Sequence, residues 1–364
     1  MTVEVWAMIF AGVAALIAGI FLARGRLRAE SGHHKILIFG PVFVAAALAV
    51  FAAEHFAAAR ELMPIVPRWV GFPLFWTYFV GICLMGAALS FTAWRHVRWS
   101  ASLLALLFLI IVATVDLPGL PRQMHDRFFW ILSVREMSFA GGAMVLAGRV
   151  GALGPRGTRS LIWVGRSIVA VVMVFYAIEH FLHPDHVPGV PLQKLTPDWM
   201  PEPTLIAYFI GITLLLGGIA LVIPHTTRRA ASFAGGILVL LTALFYVPIA
   251  AREIHSALAV EGLNYVFDML LFAGSVLLAG LQPGEEVGSN IGPGGERNAS
   301  GDVGIDDFGG YRKRDRFETR AGFLQTFAVI SKGRPPGFQP GEVKETTGFR
   351  EEWRLVTTDK PFIM

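Results

Sequence analysis

The sequence predicts an all-α polytopic membrane protein of nine transmembrane helices: one N-terminal helix, two parallel-repeat four-helix bundles and a mostly disordered polar tail. Three observations carry this. Hydrophobic residues make up 54% of the chain and charged residues 16%, with a mean hydropathy of +0.57, too apolar for an ordinary soluble domain. Apolar runs of about 20 residues recur along the chain, each long enough to cross a hydrocarbon layer roughly 30 Å thick as a helix. The run from Ile36 that closes on Phe51-Ala52-Ala53-Glu54-His55-Phe56 also has a second copy, which starts at Gly165 and ends in Phe175-Tyr176-Ala177-Ile178-Glu179-His180-Phe181. Backbone polar groups in lipid must be satisfied within helices or a closed barrel. The runs lack the two-residue alternation of barrel strands, so helices are predicted.

Val3 to Ala23 is the first span. Glu4 stands at its start, and Arg24, Arg26 and Arg28 follow it. That order is the reverse of a secretory signal, so the span reads as a retained helix with its N-terminus outside. Further spans are expected near 36–58, 74–93, 100–119 and 129–148 in a first bundle over residues 31–150. Others are expected near 161–182, 204–223, 230–250 and 263–281 in a second bundle over residues 151–281. Lys and Arg of alternate loops concentrate on the side of Arg24, Arg26 and Arg28, which makes that side cytoplasmic. A bacterial-type inner membrane is the expected setting, and both Glu-His pairs then lie near the outer interface. From Gln282 the chain turns Gly-, Ser- and Asp-rich with mixed charge, so residues 282–364 are expected to form a largely disordered cytoplasmic tail.

The repeat runs through all four helices of each half. Tyr78-Phe79-Val80-Gly81-Ile82 returns as Tyr208-Phe209-Ile210-Gly211-Ile212, Pro118 as Pro248, and Phe139-Ala140-Gly141 as Phe272-Ala273-Gly274. Four is an even number of crossings, so both copies share one orientation, unlike the inverted repeats of many transporters. Two similar bundles side by side are expected, with Gly81, Gly86, Gly211, Gly217 and Gly218 offering small faces for close helix approach.

Cys83 is the single cysteine, which excludes an intrachain disulfide and a Cys-x-x-Cys redox pair. The net charge of +4 resides in loops and tail. No basic stripe on a soluble domain points to nucleic acid. Ionisable groups at membrane depth carry the functional signal, because they are costly to place there. The candidates for ligand or proton handling are Glu54, His55, Glu179 and His180, with a duplicated Arg-x-x-His at Arg122/His125 and Arg252/His255. Within each bundle Glu54 is expected to meet Arg122, and Glu179 to meet Arg252. A histidine beside a carboxylate in an apolar wall suits a proton relay. The competing reading makes each Glu-Arg pair a pin that fixes helix ends, and a third makes the groups part of a transport path. Catalytic residues are not identified.

His180, His183 and His186 form His-x-x-His-x-x-His. Pro184 breaks the helix between them, so the triplet predicts a polar loop and no metal site. The Pro-rich loop from His183 to Pro203, and its shorter partner from Ala59 to Pro73, are expected to be stiff, extended lids. Trp69, Trp199 and Met200 are expected at the interface. Asp116, answered by Tyr246, reads as a cap or loop ligand near the outer end.

With these residues in view, each half resembles the DoxX-like family of four-helix membrane proteins. The stretch from Phe175 to Pro201 carries most of the likeness, and the resemblance covers about residues 36 to 281. It implies a four-helix bundle in each half and a link to respiratory or redox systems, with a quinone as the ligand class suggested. It carries over no catalytic residue. Membrane lipid and a quinone or redox-complex subunit are the partners so implied. The expected role is an accessory or small apolar ligand-binding component, and the alternatives are a catalytically silent scaffold or a transporter of a small apolar solute.

Overall fold

In the computed structural model, residues 1–29, 32–121, 123–151 and 153–281 are described. Arg122 and the 282–364 tail lie outside them. Among the described residues nine helices are long and apolar enough to cross a membrane, and no strand forms. They are α1 Val3–Ala29, α2 Gly40–Ala57, α3 Pro73–Ala93, α4 Val97–Gly119, α5 Arg127–Arg149, α6 Pro155–Leu182, α7 Pro203–Leu221, α8 Thr227–Glu253 and α9 Ala259–Ala279.

Several helices outrun their apolar cores. α1 continues through Arg24, Arg26 and Arg28, with the Arg26 guanidinium lying 4.1 Å from the centre of the Trp94 ring. α6 begins at Pro155, whose fixed φ and missing N–H suit a first helical position. Long basic side chains reach water from such ends while their stems stay in apolar surroundings. α2 is preceded by a 3₁₀ segment, Gly32–Phe39.

Neighbouring helices pack in sequence from α2 to α9, and α9 packs back on α2. α5 and α9 also meet in the middle, and α9 is buried along its length. The halves are therefore not two self-contained bundles. α2 packs along α3 and α9, and α5 packs along α4, α6 and α9. Each half is closed by the last helix of the other.

Glycine pairs make these joints. A Cβ on Gly165 would lie 2.5 Å from the Gly141 carbonyl oxygen, and one on Gly274 would lie 3.0 Å from that of Gly40. Backbones can come this close only where no side chain intervenes. Gly81, Gly211, Gly217 and Gly218 also face neighbouring side chains, whereas Gly86 faces open space. α1 stands outside the ring against α2, α3 and α9, with Trp6, Phe10 and Phe21 exposed as expected for a lipid-facing surface.

α4 and α8 each contain one π-helical turn, at Val112–Asp116 and Thr242–Tyr246. Pro118 and Pro248 stand just beyond. A proline lacks the N–H for the i−4 carbonyl, and the wider turn absorbs the break in the ladder. The turn also aims its last residue inward: Asp116 and Tyr246 are both buried.

Candidate functional site

A cavity of about 420 Å³ opens within the first half. Its walls are apolar: Phe51 of α2, Val80 and Leu84 of α3, Phe108 and Ile111 of α4 and Phe139 of α5. Ile65, Val66 and Trp69 of the loop between α2 and α3 roof it. Its polar lining comes from His55 of α2, Arg135 and Glu136 of α5, and Asn264 and Asp268 of α9. The last two arrive from the second half because α9 closes this ring.

The polar groups form a buried network. Arg135 Nη1 donates to Asp268 Oδ2 at 2.7 Å, and Arg135 Nη2 lies 3.7 Å from Glu136 Oε1. Asp116 of α4 is buried close to Glu136 of α5, adding a third carboxyl group to the cluster. Glu54 is fully buried, and its Oε1 accepts from Asn264 Nδ2 at 2.9 Å. Among the described residues, Glu54 Oε2, Asn264 Oδ1, Asp116 Oδ2, Glu136 Oε2 and Arg135 Nε are buried without a hydrogen-bond partner. Buried polar atoms are rarely left so.

The same place in the second half is filled. The loop from His183 to Pro203 is not an extended lid. It folds back as a hairpin, with Val187 N donating to Lys194 O at 3.0 Å and Thr196 N to Asp185 O at 2.8 Å, and its tip enters the helix ring. Val187, Val190 and Leu192 are buried. Gly189 N donates to His180 Nε2 at 2.7 Å, the Tyr246 hydroxyl to Pro188 O at 2.6 Å, and Val190 N to Met269 Sδ at 3.2 Å. His180, Tyr246 and Met269 answer His55, Asp116 and Glu136 in the repeat register. The hairpin thus stands where the first half keeps its cavity.

Several expected contacts are corrected. Glu179 does not meet Arg252. Its Oε2 accepts from Arg127 Nε at 2.6 Å, and Arg127 Nη2 donates to Pro191 O at 2.7 Å, holding the hairpin. Arg252 is exposed and stacks 4.2 Å over the Trp199 ring. His125 and His255 are exposed, away from the buried groups. Glu54 pairs with Asn264, and its expected partner Arg122 lies outside the described residues. Asp116 is no cap but a member of the buried network. His180 faces Gly189, apart from His183 and His186, whose rings touch each other. His186 Nδ1 lies 2.9 Å from Asp185 Oδ1, a hydrogen bond that holds the Asp185 carboxyl below its usual range. Among the described residues no group of three His, Cys, Asp or Glu is placed to hold a metal ion.

Arg135, Glu136, Asn264 and Asp268 were not among the sequence candidates. The signal was available, since Arg135-Glu136 and Asp268 interrupt apolar spans as Glu54 and Glu179 do. Comparison with protein-family models, with characterised proteins and with solved structures finds no match to this chain.

Proposed function

We propose that the first-half cavity binds a small, largely apolar molecule with a polar head, of the quinone-like class, and that the acids on its floor handle protons there. The observation that carries the reading is the contrast between the halves. An apolar chamber with convergent polar groups is the usual form of a small-molecule site, and here it stands open in one half while a hairpin occupies its counterpart. Phe79 and Ile110 line the cavity and are also exposed on the outside of α3 and α4, which suits entry from lipid. The proposed setting is the inner membrane with the Glu-His ends outward, and the proposed origin is fusion of two DoxX-like copies. The proposed role is an accessory component of a redox system. Glu179, held by Arg127, fits the structural reading of its Glu-His pair, so the ligand role falls to His55, which lines the cavity, with Glu54 buried behind it on Asn264.

The test is titration of the purified protein with a short-chain benzoquinol, the hydroxyl-bearing form of the quinone-like class, following the fluorescence of Trp69 and Trp76 at the cavity. Saturable quenching is expected in the wild type and its loss in Val80→Phe, which fills the chamber, at an unchanged melting temperature. Equal quenching in both proteins, or none in the wild type, overturns the reading.

A further inference from the structure

Resting on the reading of the first-half cavity as a ligand site, we infer that its ligand presents an O–H or N–H donor to His55 Nε2. Within the quinone-like class the fitting form is the hydroxyl-bearing one, a quinol or other phenol, ahead of one with acceptor oxygens alone.

The second half supplies the internal reference. The Gly189 amide that meets His180 Nε2 can only donate, so Nε2 is an acceptor. The other ring nitrogen, Nδ1, faces the Tyr176 carbonyl, which can only accept, so Nδ1 carries the proton. His180 is thereby fixed as one neutral tautomer whose free edge takes a donor. His55 repeats the second of these contacts, with Nδ1 2.7 Å from the Phe51 carbonyl oxygen. Its Nδ1 carries the proton for the same reason, which leaves Nε2 as the acceptor of a side chain that lines the cavity. What the hairpin amide does for His180, a ligand donor does for His55.

The test compares a 4-alkylphenol with its methyl ether, which keep the same apolar body, on the full-length protein in detergent with tryptophan fluorescence as readout. The phenol is expected to bind about tenfold more tightly, since a buried acceptor left unmet costs on the order of that factor. In His55→Phe the two affinities should converge while the ether still binds, and in Glu136→Gln the preference should persist. Equal wild-type affinities overturn the donor rule and leave the cavity reading standing. A preference kept in His55→Phe but lost in Glu136→Gln overturns the assignment to His55. Failure of both compounds to bind overturns the ligand-site reading itself.

Discussion

Arg135 Nη1 and Asp268 Oδ2 meet 2.7 Å apart where α5 crosses α9, and each residue stands four positions ahead of a Phe-Ala-Gly, at Phe139 and at Phe272. Matching positions of the two halves thus carry opposite charges and bind each other across the central joint. Both side chains are buried, so neither charge has water as an alternative partner. Removing one partner from such a pair leaves the other uncompensated, at a cost of about 3–5 kcal/mol, whereas replacing both by apolar residues is often neutral. Arg135→Met should therefore lower the melting temperature sharply in detergent, and Arg135→Met with Asp268→Leu should recover most of it. A double variant no better than the single one would show that the pair is not the unit of stability.

Gly189 sits at the hairpin tip with φ +109, and a Cβ there would lie 2.5 Å from Met269 Cε. Positive φ is a region that side chains rarely adopt. Gly189→Ala is expected to cost about 1–3 kcal/mol through backbone strain, read as a lower melting temperature. Adding Met269→Ala relieves the steric part and leaves the φ part, so recovery should be incomplete. Complete recovery would assign the whole effect to crowding.

The helices were legible because lipid allows so little else: length and hydropathy alone place nine spans, and the errors lie at ends where Arg24 to Arg28 or Pro155 carry a helix past its apolar core. The site was only half legible. Glu54, His55 and His180 announce themselves as polar groups in apolar runs, and their burial follows. The partners of Glu54 and Glu179 do not, because Asn264 and Arg127 come from the last helix of the opposite half. Nothing in a linear repeat says that each ring is closed by its neighbour's helix. The hairpin was missed for a related reason. Pro184, Pro188 and Pro191 predict stiffness, but the direction of the chain is set by Tyr246, His180 and Arg127, which take its amide and carbonyl groups.

Arg127 ties this hairpin to α6. It donates to Glu179 Oε2, to Pro191 O and, at 3.4 Å, to Leu192 O, while Lys194 anchors the hairpin's return arm to Glu253 and Glu261 at 2.8 and 3.1 Å. Arg127→Met removes every donor at once and strands a half-buried carboxylate and two carbonyls. Glu179→Gln keeps an acceptor for Arg127 Nε and loses only the charge. The arginine variant should cost roughly 3–5 kcal/mol and the glutamine variant about 1 kcal/mol, by the difference between breaking a buried pair and weakening a charge-assisted hydrogen bond. Hydrogen exchange over residues 187–194 is the discriminating measurement. It should rise strongly in Arg127→Met and little in Glu179→Gln, with phenol binding in the first-half cavity retained in both. A Glu179→Gln protein that stays folded yet loses that binding would return Glu179 from anchor to ligand-handling group.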